Sequence, residues 1–214
     1  MKGFKADITL IFVIILANLV PLAGVIFLRW TVFSVVLLFW LESLIIGLFN
    51  VLRMAFASNQ DPKSEKEKPA SANVVLKLFL IPFFMVHFGG FMLIQGIFML
   101  LFLSKEFREN LDVWSVLSKH IEQMFWVAVL ILLFSHLIDF LRNYLFNRAY
   151  QTAILLKLMF KPYGRVFIQQ FVIIGGVLLM QLYPDNFVFL ILLIVLKIMV
   201  DLAGNSFPLT KLSN

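Results

Sequence analysis

Six stretches of this chain are long and apolar enough to be read as helices crossing a lipid bilayer, and no other feature narrows the possible folds as much. A spanning helix needs about 20 mostly apolar residues at a rise of about 1.5 Å each. The stretches run 7–28, 31–57, 74–103, 121–146, 165–182 and 187–204. They are apolar on every side, whereas a transmembrane strand alternates apolar and polar residues. A helix also satisfies its own backbone groups, which lipid cannot do. The expected fold class is all-α, a polytopic membrane helix bundle of six transmembrane helices in one transmembrane domain over residues 1–214.

Composition agrees. Hydrophobic residues make up 62% and charged residues 14% of the chain, against about 45–50% and about 25% in soluble domains. A fold of this length cannot hide that excess from water. An ordinary soluble domain and a disordered chain are excluded. The lack of Cys removes disulfides and thiolate ligands. Lys2 and Lys5 before the first apolar run give the outline of a signal peptide. No small-x-small cleavage site follows Val20, so the run is read as a retained helix kinked at Pro21.

Six spans leave both termini on one side. That side carries thirteen Lys and Arg, the other four, and Lys197 lies within the sixth span. The positive-inside rule then expects a multi-pass protein of the cell (inner) membrane with cytoplasmic termini. The net charge of +6 is explained by this asymmetry, so no nucleic acid is called for. No Gly-rich phosphate loop suggests a nucleotide.

Residues 58–73 are polar, include two Pro and read as a flexible cytoplasmic linker. In 104–120, Phe107, Leu111, Trp114 and Leu117 recur at helical spacing. An amphipathic helix on the outer surface is expected, anchored by Trp114. Residues 147–161 read as an inner-surface helix, or equally as a solvated connector. With Arg165, its Arg148, Lys157 and Lys161 form a basic set facing anionic lipid headgroups.

Charge at mid-bilayer costs about 2.5–3.5 kcal/mol on insertion scales, so each buried ionisable residue needs a reason. They are Glu42, His87, His136, Asp139, Lys197 and Asp201. Glu42 is about 16 Å along its helix from Arg53, and His87 about 15 Å from Lys77. All six residues fall between the midplane and the cytoplasmic edge, where four helices can converge on one polar layer. Asn50, Gln95 and Gln170 add neutral polar groups. His136 and Asp139 share a helix face, and Lys197 and Asp201 can pair one turn apart. Plainer readings exist for each. Glu42 and Lys197 can form a purely structural pair. A lone His is commonly a packing residue, and Asp139, Lys197 and Asp201 lie near enough to an interface to snorkel. His120 receives no role.

The order of several fragments is distinctive. Trp40-Leu41-Glu42 is followed by His87-Phe88-Gly89-Gly90 and then Ser135-His136. Pro162-Tyr163-Gly164-Arg165, Gly175-Gly176 and Lys197 to Asp201 come after. In these W-x-E, H-F-G-G and P-Y-G-R motifs the chain resembles a family of uncharacterised prokaryotic six-helix membrane proteins, a domain of unknown function. The resemblance implies the fold and the polar layer, and no particular activity. Members often have further His near the positions of Gln170 and Asn205, where this chain has amides.

Three functions follow as expectations. The first is a buried proton- or cation-binding site for transport or signalling, built on the acids and His above with Lys197 as counter-charge. The second is a non-catalytic subunit that binds other membrane proteins or itself, its polar layer fixing helix register. The third is an intramembrane hydrolase with zinc on His87, His136 and a carboxylate, Asp139 or else Asp201 or Glu42. No HExxH or GxSxG motif supports that last reading.

Overall fold

The structure is a computed structural model that describes residues 21–59, 70–121, 124–182 and 194–195. Lys197 and Asp201 lie outside the described residues, as do most of the first and last expected spans.

After a helical segment at 21–28, the chain forms α1 (Val32–Phe56), α2 (Ala70–Leu103), α3 (Lys105–Asn110), α4 (Val113–His120) and α5 (Phe125–Asp139). A π-helix, Phe140–Phe146, continues α5. A 3-10 turn, Ala149–Gln151, and α6, Leu155–Leu182, follow. The described residues are all-α. Among them, three helical stretches are long and apolar enough to cross a membrane: Val32–Phe56, Ser71–Leu103 and Phe125–Phe146.

Two surface segments differ from expectation. The run 104–120 is two helices instead of one. Ser104 caps α3 by accepting from the Phe107 N–H, and Leu111 closes it in the left-handed region. Asp112 then starts α4 by accepting from the Trp114 N–H. A turn residue followed by a capping acid ends one helix and begins the next. The run 147–161 is not one surface helix either. Arg148 is left-handed (φ 54°), a 3-10 turn follows, and residues 155–161 open a helix that continues through Pro162 to Leu182. Proline removes one N–H donor without ending this helix.

The residues group into two compact units. One holds 21–38, 99–121, 124–128, 165–182 and 194–195, the other 39–59, 70–98 and 129–164. In the first unit Trp30 is the pivot. It packs on Phe125 with ring centroids 5.8 Å apart and fills the space a Cβ on Gly24 would take.

In the second unit α1 and α2 lie antiparallel. The Trp40 indole N–H donates to the Met92 carbonyl (2.8 Å), and the Lys77 ammonium donates to the Ala55 carbonyl (2.8 Å). Gly47 lets the Phe88 ring approach to where a Cβ would be 2.4 Å away. On its other side α1 meets α5 and the π-helix, where Phe49, Phe140 and Tyr144 form a buried core with Ile45, Leu52 and Leu137 packed around it. Beyond α1, Ser58 and Asn59 run beside residues 150–153. Their N–H groups donate to the Tyr150 and Ala153 carbonyls (2.8 and 3.1 Å). The buried Asn59 side chain accepts from the Leu155 N–H (3.1 Å) and so caps α6.

Candidate functional site

The site lies wholly within the second unit, where one stripe of α1 faces α5. Glu42, Phe49 and Arg53 recur at helical spacing and project toward His136, Asp139 and Phe140. Trp40 and Gly47, on the opposite side of the helix, are taken up by α2.

At one end, Oε1 of Glu42 stands 3.7 Å from Nε2 of His136, and the Glu42 side chain is 6% exposed. The Phe49 ring lies beside the imidazole, centroids 6.4 Å apart, and shields the pair on that flank. At the other end, Nη2 of Arg53 donates to Oδ2 of Asp139 at 2.5 Å. The second Asp139 oxygen accepts from the Asn143 amide at 2.7 Å. The Tyr144 hydroxyl donates to the Arg53 carbonyl at 2.7 Å. Asp139 is therefore held from both sides, while its position three residues from His136 keeps the two pairs on one helix face.

The π-helix shapes this end. Its wider coil carries a bond from the Asn147 N–H to the Arg142 carbonyl, five residues back. Asn143 and Tyr144 reach Asp139 and Arg53 from within this coil. Lys161 stands nearby. Part of its side chain is exposed, yet its surroundings hold the ammonium below the ordinary lysine value. Burial is the main cause, the Arg53 guanidinium adds to it, and Asp139 pulls the other way.

Of the polar residues expected to converge, the structure joins Glu42 with His136. It places Asp139 on the same face, with Arg53 as its cation. Asn50 is buried on α1, its amide 3.8 Å from the Met54 sulfur. His87 goes elsewhere: Nδ1 is 2.8 Å from the Tyr163 hydroxyl, and the side chain is exposed. Gln95 is buried on α2, and among the described residues neither carboxamide atom has a hydrogen-bond partner. Gln170 lies in the other unit. Arg148 and Lys157 are exposed. The Arg165 side chain, like Lys197 and Asp201, lies outside the described residues. Among the described residues no three or more His, Asp or Glu side chains gather where a metal ion could be held, so His87, His136 and Asp139 do not form a ligand set there.

Three contributors were not foreseen as site residues: Arg53, Asn143 and Tyr144. Arg53 sat on the Glu42 stripe and carried a readable signal, since a cation one turn from a helix end and a carboxylate on a neighbouring span invite pairing. Asn143 and Tyr144 carried none, because a π-helix leaves no mark in apolar periodicity.

The sequence model of a family described as a family of unknown function (DUF6498) matches residues 3–210. No curated protein and no solved structure matches the chain.

Proposed function

The chain belongs to this family of unknown function, and from that premise we propose that it is a multi-pass membrane protein whose Glu42–His136 pair binds a proton for transport or signalling. The carrying observation is a carboxylate 6% exposed and 3.7 Å from an imidazole nitrogen, on a helix apolar enough to cross a bilayer. A carboxylate and an imidazole both take up and release protons, and at 3.7 Å the two stand just beyond hydrogen-bond distance, so a change of protonation alters their geometry as well as their charge. Asp139 and Arg53 form a second, already neutral pair on the same face, which keeps the net charge beside His136 small. In this reading six helices span the cell membrane with both termini cytoplasmic. Arg148, Lys157, Lys161 and Arg165 then meet anionic headgroups at the inner surface.

The test is infrared difference spectroscopy of the protein in lipid nanodiscs between pH 4 and pH 9, together with proton flux into dye-loaded proteoliposomes. Glu42→Gln is expected to remove a carboxyl band from the difference spectrum and abolish any flux. An unchanged spectrum and unchanged flux would take Glu42 out of the mechanism.

The bonds among Arg53, Asp139, Asn143 and Tyr144 favour a second reading, a subunit whose polar contacts set helix register. Alanine at Glu42 and His87 together would then lower stability and leave proton response untouched.

A further inference from the structure

Exposure rises step by step along the face where α1 meets α5. The Glu42 side chain is 6% exposed, that of His136 20% and that of Asp139 33%. The three are ordered in space as well. Nε2 of His136 faces Glu42, and Asp139 follows His136 by three residues, a rise of about 4.5 Å, on the same face. Side chains lean toward the N-terminus of their helix, so the Asp139 carboxyl leans back toward the level of His136.

The row has one polar end. From Val32 to Leu41 of α1, and from Phe125 to Ser135 of α5, no side chain is ionisable. Val35 to Phe39 are at most 4% exposed, and Leu132 is 3% exposed. At the other end Asp139 is met by Arg53 from α1, with Lys161 of α6 nearby and Arg142 three residues on in its own coil. The Tyr144 hydroxyl is bound to the Arg53 carbonyl, and Lys77 of α2 to the Ala55 carbonyl beyond it.

Two unlike bonds hold Asp139 there. Oδ2 accepts from Nη2 of Arg53 at 2.5 Å, and Oδ1 accepts from the Asn143 amide at 2.7 Å. A proton on Oδ2 removes the negative charge that draws Arg53 and stands where its N–H donates. The Asn143 bond goes to the other oxygen and survives, because a protonated carboxyl still accepts there. Asn143 therefore keeps the carboxyl in place when Arg53 lets go.

We propose that Asp139 is the carboxyl through which the Glu42–His136 pair exchanges its proton with the inner surface, and that Arg53 is the lock on that exchange. This rests on the proton-binding reading above and gives that site its entrance. A proton from hydronium or a buffer acid at the inner surface lands on Oδ2 as the Arg53 bond opens. Asp139 passes it to Nδ1 of a neutral His136, and the proton on Nε2 moves to Oε1 of Glu42. Asp139, a carboxylate again, takes Arg53 back. The net change is one proton moved from the inner surface to Glu42, with the imidazole left in its other tautomer. Release runs the same steps in reverse, so binding and release need no turn of the ring.

The test is time-resolved infrared spectroscopy of the full chain in nanodiscs of phosphatidylcholine and phosphatidylglycerol after photorelease of a caged proton. The signal followed is the carboxyl band that Glu42→Gln removes. Asp139→Asn is expected to slow the rise of that band at least tenfold and to leave its final height unchanged. Asp139→Glu should bring the rate back to within about twofold of the parent. Arg53→Gln should speed the rise at least threefold. A purely structural ion pair predicts otherwise, since Asp139→Asn and Arg53→Gln break the same bond and would shift the rate in the same direction. That result, or rates unaltered in both variants, would overturn the exchange role and leave the Glu42 site standing. In the unaltered protein grown with isotope-labelled aspartate, a label-shifted carboxyl band should rise and fall ahead of the Glu42 band. Its absence would overturn the role without recourse to any variant at Asp139. If Glu42→Gln removes no band, the binding site itself is lost and the exchange with it.

Discussion

Glu42 and His136 face each other at 3.7 Å although ninety-odd residues separate them, and both side chains are largely withdrawn from solvent (6% and 20% exposed). The acid and the base meet because α1 and α5 pack together. Coupling between them is expected to be measurable. In a double-mutant cycle with Glu42→Gln and His136→Phe, the two changes should fall short of additivity by about 0.5–3 kcal/mol. Unfolding in a mixed-micelle denaturant series reads the value, and strict additivity would mean that the two groups do not sense each other.

Arg53 and Asp139 should behave as a unit. Arg53→Met leaves the carboxylate with the Asn143 amide as its hydrogen-bond donor among the described residues and is expected to cost about 1.5–3 kcal/mol, as for hydrogen bonds to charged groups. Adding Asp139→Leu should restore most of the loss, since a paired charge replaced on both sides by apolar groups is often near neutral. Thermal unfolding of the single and double variants checks both halves of the expectation.

The glycines should divide into two classes. Gly47→Ala places a Cβ 2.4 Å from the Phe88 ring and is expected to destabilise by about 1–3 kcal/mol through overpacking. Gly89→Ala meets nothing and should stabilise by about 0.5–1 kcal/mol, the helical advantage of alanine. Opposite signs in the same unfolding assay are the result to look for.

Asn59 serves the backbone twice, through a left-handed conformation (φ 57°) and through its bond to the Leu155 N–H. Asn59→Ala gives up the cap and strains the backbone, at a cost of about 1–2 kcal/mol for the conformation alone. Asn59→Gly gives up only the cap and should be the milder change. Hydrogen exchange at the start of α6 would rise in both variants and further in the alanine one.

The outline of these helices was legible because lipid-length apolar runs are a one-dimensional signal. Val32–Phe56 and Phe125–Phe146 need no knowledge of neighbours to be seen. The polar layer was legible as a set of residues but not as a set of contacts. His87 and His136 look alike in sequence, yet one bonds Tyr163 at an exposed surface and the other faces a buried Glu42. Which face of a uniformly apolar helix turns inward cannot be read from hydrophobicity when every face is apolar. The break at Leu111 and Asp112 turned on a backbone angle and a cap.

The residues alone determined that this chain forms long apolar helices, because the energy of withdrawing backbone groups from water depends on local composition. Only the tertiary structure decided the pairings, setting Arg53 beside Asp139 and giving His87 to Tyr163. Those choices follow from helix rotation, register and the wider coil of Phe140–Phe146, which are properties of packed neighbours and not of any one segment.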